Sequence, residues 1–155
     1  MGKNKYLKLF VFMGFFFANV SNLNIIDMHY LNVEVFANEG LRQMQIIGLL
    51  VEKNAFVVNM KIERIQRSLV ITGKKTIFPS KKGSLFFVLN FVLKDNIDSV
   101  IFKADKEELL LWQKGNMEIT KKLNAKYGAA EYINEAIKSA FLKNKNKLDI
   151  DLNID

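Results

Sequence analysis

The chain has no cysteine, one histidine (His29) and one proline (Pro79) in 155 residues. Without cysteine there is no disulfide, no thiolate zinc site and no thiol nucleophile. A single histidine excludes a multi-histidine metal site and weakens any Ser-His-Asp arrangement. Asp95, Asp98 and Asp105 sit where turn residues are expected, not as paired general acid and base. Composition therefore points away from an enzyme and calls for no cofactor or metal. His29 reads as a strand residue and the lone tryptophan, Trp112, as core. No Gly/Ser-rich linker and no internal repeat occurs, so residues 28–142 read as one domain. An apolar segment, 1–21, precedes it, and a Lys/Asp-rich tail, 143–155, follows.

What is present is ordinary globular material, 50% apolar and 25% charged, with a formal net charge of +7. A basic chain of this size suits phosphate, in nucleic acid or on an anionic membrane. Nucleic acid is disfavoured, because the strand aromatics are mixed with aliphatics and form no stacking row. At the N-terminus Lys3, Lys5 and Lys8 precede an apolar run from Leu9 to Ala18. That is the layout of a secretory signal peptide, too short for a membrane span of about 20 residues. No Ala-x-Ala cleavage site accompanies it, and the other reading is a buried strand or helix with Phe10, Phe12 and Phe15 to Phe17 as core.

Strand signals dominate the middle of the chain. Residues 28–36 alternate, with His29, Leu31, Val33 and Val35 on one face, and Asn38-Glu39-Gly40 marks a turn. Residues 44–52 and 55–62 suggest a hairpin, with Phe56, Val58, Met60 and Ile62 on one face; 41–52 also suits a short helix. Ser68 to Thr72 reads as a strand and Gly73-Lys74-Lys75 as a turn into Thr76 to Phe78. Lys81 and Lys82 lie in a basic loop, Ser84 to Leu93 is a long apolar strand, and Ser99 to Phe102 resumes after Asp95-Asn96. Asp105-x-x-Glu108 resembles a capping box. Its rival is a strand from Leu109 to Gln113, a turn at Lys114 to Asn116 and a strand from Met117 to Thr120; local signals leave both open, and the strand is what the resemblance given below implies. Tyr132, Ile133, Ala136, Ile137, Ala140 and Phe141 recur at helical spacing, which predicts a helix over 129–142. The tail alternates Leu148, Ile150, Leu152 and Ile154 with acidic or amide residues, either a sheet-edge strand or, preferred slightly, a solvated tail that pairs only with a partner. The expected fold is α+β: an antiparallel β meander or barrel over 44–120, closed by the helix. Its expected core is Phe56, Val58, Met60, Leu69, Ile71, Phe87, Leu89, Phe91, Val100, Leu110, Ile133, Ile137 and Phe141.

Five pieces, in order, resemble the pleckstrin-homology-like core of the class I myosin tail homology domain. Phe56 to Lys74 is similar to its V-x-K…R-x-L-L-L-T-x-K pattern, and Leu93 to Val100 to L-x-D-I-x-S-V with one extra residue. Leu109 to Trp112 stands in the place of F-V-L-H, Gly115 to Ile119 in that of G-D-hydrophobic-x-L, and Ala130 to Phe141 resembles the closing E-F-I-x-x-L helix. The similarity covers about residues 55–142. It implies a membrane-associated adaptor for phosphoinositides or other anionic phospholipids, in an actin-motor context, with Lys61 and Arg67 as lipid contacts. Spacing adds Arg64, Lys74 and Lys75, placed on successive turns of the expected barrel. The alternative is a secreted or periplasmic interaction module that recruits a protein partner through a sheet edge or the C-terminal tail.

Overall fold

A computed structural model describes residues 20–50, 55–77, 86–128 and 149–151. The expected helix over 129–142, and with it Ile133, Ile137 and Phe141, lies outside the described residues, as do Lys81 and Lys82. The strands are β1 (Val20–Asn22), β2 (Met28–Asn38), β3 (Leu41–Leu50), β4 (Phe56–Ile65), β5 (Ser68–Thr76), β6 (Phe86–Val92), β7 (Ser99–Lys103), β8 (Glu108–Gln113) and β9 (Asp149–Asp151). Among the described residues one α-helix, α1 (Met117–Tyr127), follows β8, and one 3-10 turn, Ile25–Asp27, lies between β1 and β2.

The strands form two open sheets. In the first, β5 pairs with β4 along one edge; along the other it pairs with β7 at its start and β1 at its end, and β8 lies outside β7. The second runs β2-β3-β6-β9. Most pairings are antiparallel, but β5–β7 and β6–β9 are parallel. The structure is thus α+β with two mixed sheets, and among the described residues the expected closure into an antiparallel barrel is not seen. The expected hairpin of 44–52 with 55–62 is also absent, because β3 pairs with β2 and β6 while β4 belongs to the other sheet.

The inner faces pack together. Leu31, Val33, Met44, Ile46, Phe87, Leu89 and Phe91 come from one sheet, and Val57, Met60, Ile62, Leu69, Ile71, Val100, Phe102 and Leu111 from the other. Trp112 is core, as expected, and His29 is exposed. Irregularities in three pairings explain where simple alternation fails. In β4, Val57 faces Lys75 and Asn59 faces Lys74, so Val58 is an extra residue. Each such bulge changes which parity faces inward. Val57 is fully buried while the expected core residues Phe56 and Val58 are half-buried. Leu111 is the extra residue of β8, between the Trp112–Val100 and Leu110–Ile101 pairs, so Leu111 replaces Leu110 in the core. His29 plays the same part in β2.

Gly73-Lys74-Lys75 is not a turn. β5 runs straight through it, and Gly73 permits close packing: a Cβ there would lie 2.8 Å from the Met60 Sδ and 2.9 Å from Leu23 Cδ2. Met117 to Thr120 opens α1 instead of forming a strand. Thr120 and Leu123 are its buried residues, Tyr127 packs on the core, and Thr120 Oγ1 donates to the Leu111 carbonyl at 3.0 Å. The side chain of Asn124 ties the helix to edge strand β2, accepting from Val33 N–H at 2.9 Å and donating to Val33 C=O at 2.6 Å. One amide thus takes the place of a neighbouring strand. Residues 149–151 add to the edge of β6, so this part of the tail is paired within the chain.

Candidate functional site

Turns and loops from both sheets meet at one end of the sandwich. They are the β2–β3 turn at Glu39-Gly40, the β4–β5 turn at Gln66-Arg67, the β6–β7 loop Leu93–Asp98 and the β8–α1 turn Lys114–Asn116. Glu39 and Gly40 both have positive φ, 50° and 78°, which fits a tight hairpin turn of the I′ kind. The β6–β7 loop bridges the sheets: Leu93 N–H donates to Arg42 C=O at 2.7 Å, and Asp98 N–H to Arg67 C=O at 2.7 Å. Lys114 N–H then donates to Asp98 C=O at 2.8 Å.

Two arginines leave the inner faces at this rim. In β3 the positions Arg42, Met44 and Ile46 share a face; in β4 Met60, Ile62 and Arg64 do. The last inward position of each strand is therefore an arginine at the sandwich mouth. Lys94 stands on the loop between them. A cleft of about 460 Å³ is lined by Ala37, Leu41, Arg42, Val92, Lys94 and Asp95 among others, within the size range of ligand sites. A small crevice lined by Arg64, Leu69, Val92, Lys94 and Ile97 shares two of its walls. Arg42 is half-buried and lies 3.9 Å from the highly exposed Asp95. Arg64 Nε donates to Gln66 C=O at 3.0 Å. The Lys114 ammonium donates to Asp95 C=O at 2.7 Å.

The five residues expected from sequence are divided by the structure. Arg64 and Arg67 lie at this rim, but Arg67 grips Asp98 with two hydrogen bonds, at 2.5 and 2.9 Å. Those hydrogen bonds hold the Asp98 carboxyl below the usual carboxylate range, with the charges of Arg67 and Lys114 assisting, and raise the Arg67 guanidinium in turn. Lys61 stands on the outer face of β4 and pairs with Glu63 at 2.5 Å. Lys74 and Lys75 lie at the far end of β5, seven and eight residues beyond Arg67, roughly 23–26 Å along a strand. Lys74 donates to the Asn22 side chain, and Lys75 is paired with Asp27 at 2.5 Å, both of these side chains only 14% exposed. Asn22 in turn donates to Asp105, and the Asp105 backbone N–H bonds the Asn24 side chain, so these far lysines belong to a polar clasp that fastens β1 to the sheet.

Arg42 and Lys94 are the residues sequence reasoning missed. Arg42 had a signal: it continues the alternation of Met44, Ile46, Gly48 and Leu50 as a charge at an apolar position. Lys94 had none beyond its sign. Among the described residues no group of three or more His, Asp or Glu could hold a metal ion, and no helix is long and apolar enough to cross a membrane. No protein-family model, curated protein or solved structure matches the chain.

Proposed function

We propose that this protein is a non-enzymatic, membrane-associated module that binds anionic phospholipid headgroups at the open rim of its sandwich. The observation that carries this reading is the placement of Arg42 and Arg64, one from each sheet, on either side of Lys94 around the adjoining clefts. Guanidinium groups give forked hydrogen bonds to phosphate oxygens, and an ammonium adds a point charge. None of the three has an acid as close as those of Arg67, Lys61 and Lys75, whose charges are already matched. The site thus keeps Arg64 from the five expected residues and moves the centre of charge toward Arg42 and Lys94.

The resemblance of residues 55–142 to the class I myosin tail homology core supports the same chemistry. Two open sheets and a helix following the last long strand are compatible with a pleckstrin-homology-like sandwich; the parallel β5–β7 pair departs from its meander. A peripheral location on the cytoplasmic side, as an adaptor beside an actin-based motor, follows from that resemblance. A second reading, the secreted or periplasmic interaction module, is favoured by one feature: β4, ten residues long, pairs only with β5 among the described residues. Its exposed Lys61, Glu63 and Arg64 are the charges that discourage indiscriminate edge pairing.

Co-sedimentation of the full chain with neutral and with phosphoinositide-containing vesicles tests the lipid reading. Binding should require anionic lipid and weaken as salt rises, since the attraction is screened within about 10 Å at 0.1 M. No preference for anionic vesicles would remove it and leave the protein-interaction reading.

A further inference from the structure

The rim carries apolar side chains that a soluble phosphate ligand would not need. Phe36 is 42% exposed, Leu41 53% and Ile65 54%, and each borders one of the turns at this end. Phe36 and Leu41 share the outer face of the β2–β3 hairpin: Phe36 pairs with Gln43 and Leu41 with Asn38, so the two stand diagonally across the hairpin tip. Ile65 immediately precedes the β4–β5 turn. Around them lie Arg42, Arg64, Arg67, Lys94 and Lys114, against Glu39, Asp95 and Asp98. Exposed bulky apolar groups beside an excess of cations match an anionic bilayer, which offers phosphate at its surface and hydrocarbon a few ångströms below. Among the described residues Met117, just after the β8–α1 turn, is also exposed, whereas Val20, Ile26 and Ile77 lie away from this rim and have a different setting. They lie by the β1–β5 pair, where Lys75 is matched by Asp27 and Lys74 is held by Asn22.

We infer that the protein docks rim-first, with the tip of the β2–β3 hairpin inserted into the bilayer interface through Phe36 and Leu41 while Arg42, Arg64 and Lys94 engage headgroups. This rests on the lipid-binding reading and adds orientation and depth to it. It makes attachment partly apolar, so that some binding to anionic vesicles survives salt that would screen a purely electrostatic contact.

Depth can be read with tryptophan, because the native Trp112 is only 2% exposed and supplies a buried baseline. Phe36→Trp and Leu41→Trp are made singly in the full chain, with Ile26→Trp as the opposite-end control. Each is titrated with anionic vesicles containing brominated acyl chains, and sedimentation is measured in parallel. The expected result is a blue shift and at least twofold quenching of the introduced tryptophan's emission, after subtraction of the Trp112 signal, for the hairpin-tip variants, with neither in the Ile26 variant nor the unsubstituted protein. Two separate hairpin positions keep the test decisive if one variant fails to fold. Sedimentation without quenching at the tip would overturn insertion while leaving headgroup binding intact. Quenching at the Ile26 position instead would overturn the orientation. Absence of vesicle binding in every variant and in the unsubstituted protein would overturn both the inference and the reading beneath it.

Discussion

Asn124 offers the sharpest test of how the helix is joined to the sandwich. Its amide accepts from Val33 N–H and donates to Val33 C=O, at 2.9 and 2.6 Å, and Val33 itself is 1% exposed. Asn124→Ala removes both bonds and leaves two backbone groups of edge strand β2 without protein partners. Each bond has a net worth of about 1 kcal/mol, and an unmatched buried group costs about 1–3 kcal/mol. Because these contacts are only partly buried, water will replace some of what is lost, and the expected destabilisation is about 2–3 kcal/mol. For a domain of this size that corresponds to a fall in Tm of roughly 5–10 °C. Asn124→Asp should do no better, since a carboxylate can accept from Val33 N–H but must face the Val33 carbonyl with a second acceptor. Urea unfolding followed through Trp112 fluorescence measures the effect. Asn32→Ala, which removes a surface bond to Glu34, serves as the control and should stay within about 0.5 kcal/mol. A loss for Asn124→Ala no larger than that of the control would refute the view that this amide substitutes for a strand.

Two further outcomes follow from packing and charge. Gly48→Ala should destabilise by about 1–3 kcal/mol in the same assay, because the new Cβ would sit 2.3 Å from the Phe87 ring, directly across the β3–β6 pair; an unchanged midpoint would show that the ring moves freely. Asp98 has its folded pKa depressed by Arg67, so its contribution is present above the unfolded carboxylate range and is lost as pH falls through the lower folded value. Asp98→Asn should therefore flatten the acid limb of the stability–pH profile and leave its slope near neutrality unchanged, as checked by urea midpoints measured from pH 2 to 7.

Much of the sheet structure was legible because alternation is a local property. The Leu31/Val33 face, the Glu39-Gly40 turn, β6 and the β8 strand at 109–113 all stand where period-two patterning and turn residues place them. The failures have local causes too. Extra residues at His29, Val58 and Leu111 shift the inward parity without any compositional mark, so unbroken alternation points Phe56, Val58 and Leu110 inward where Val57 and Leu111 stand. Gly73 looks like a turn in sequence but is a glycine of close approach, because Met60 lies directly across the β4–β5 pair and Leu23 comes from a segment far away in the chain. The parallel partnership of β5 with β7 is a long-range choice that no turn signal announces. α1 had a readable face in Thr120, Leu123 and Tyr127, but the resemblance favoured a strand at its first residues. Site prediction suffered for the same reason. Gly73-Lys74-Lys75 has the composition of a turn yet runs as strand, and residues 41–52 suit a strand or a short helix alike, which hides the inward place of Arg42.

On the proposed reading, charge at the rim, and not the overall excess of positive charge, holds the protein to anionic membranes. Vesicle affinity should therefore be compared between two variants that each lose three cations: Arg42→Ala/Arg64→Ala/Lys94→Ala at the rim, and Lys121→Ala/Lys122→Ala/Lys126→Ala on the exposed side of α1. At about 1 kcal/mol per engaged cation, the rim triple should bind phosphoinositide-containing vesicles on the order of 100-fold more weakly. The helix triple should stay within about threefold of the unsubstituted protein. Equal weakening by the two triples would contradict the claim and reduce the attraction to net charge alone.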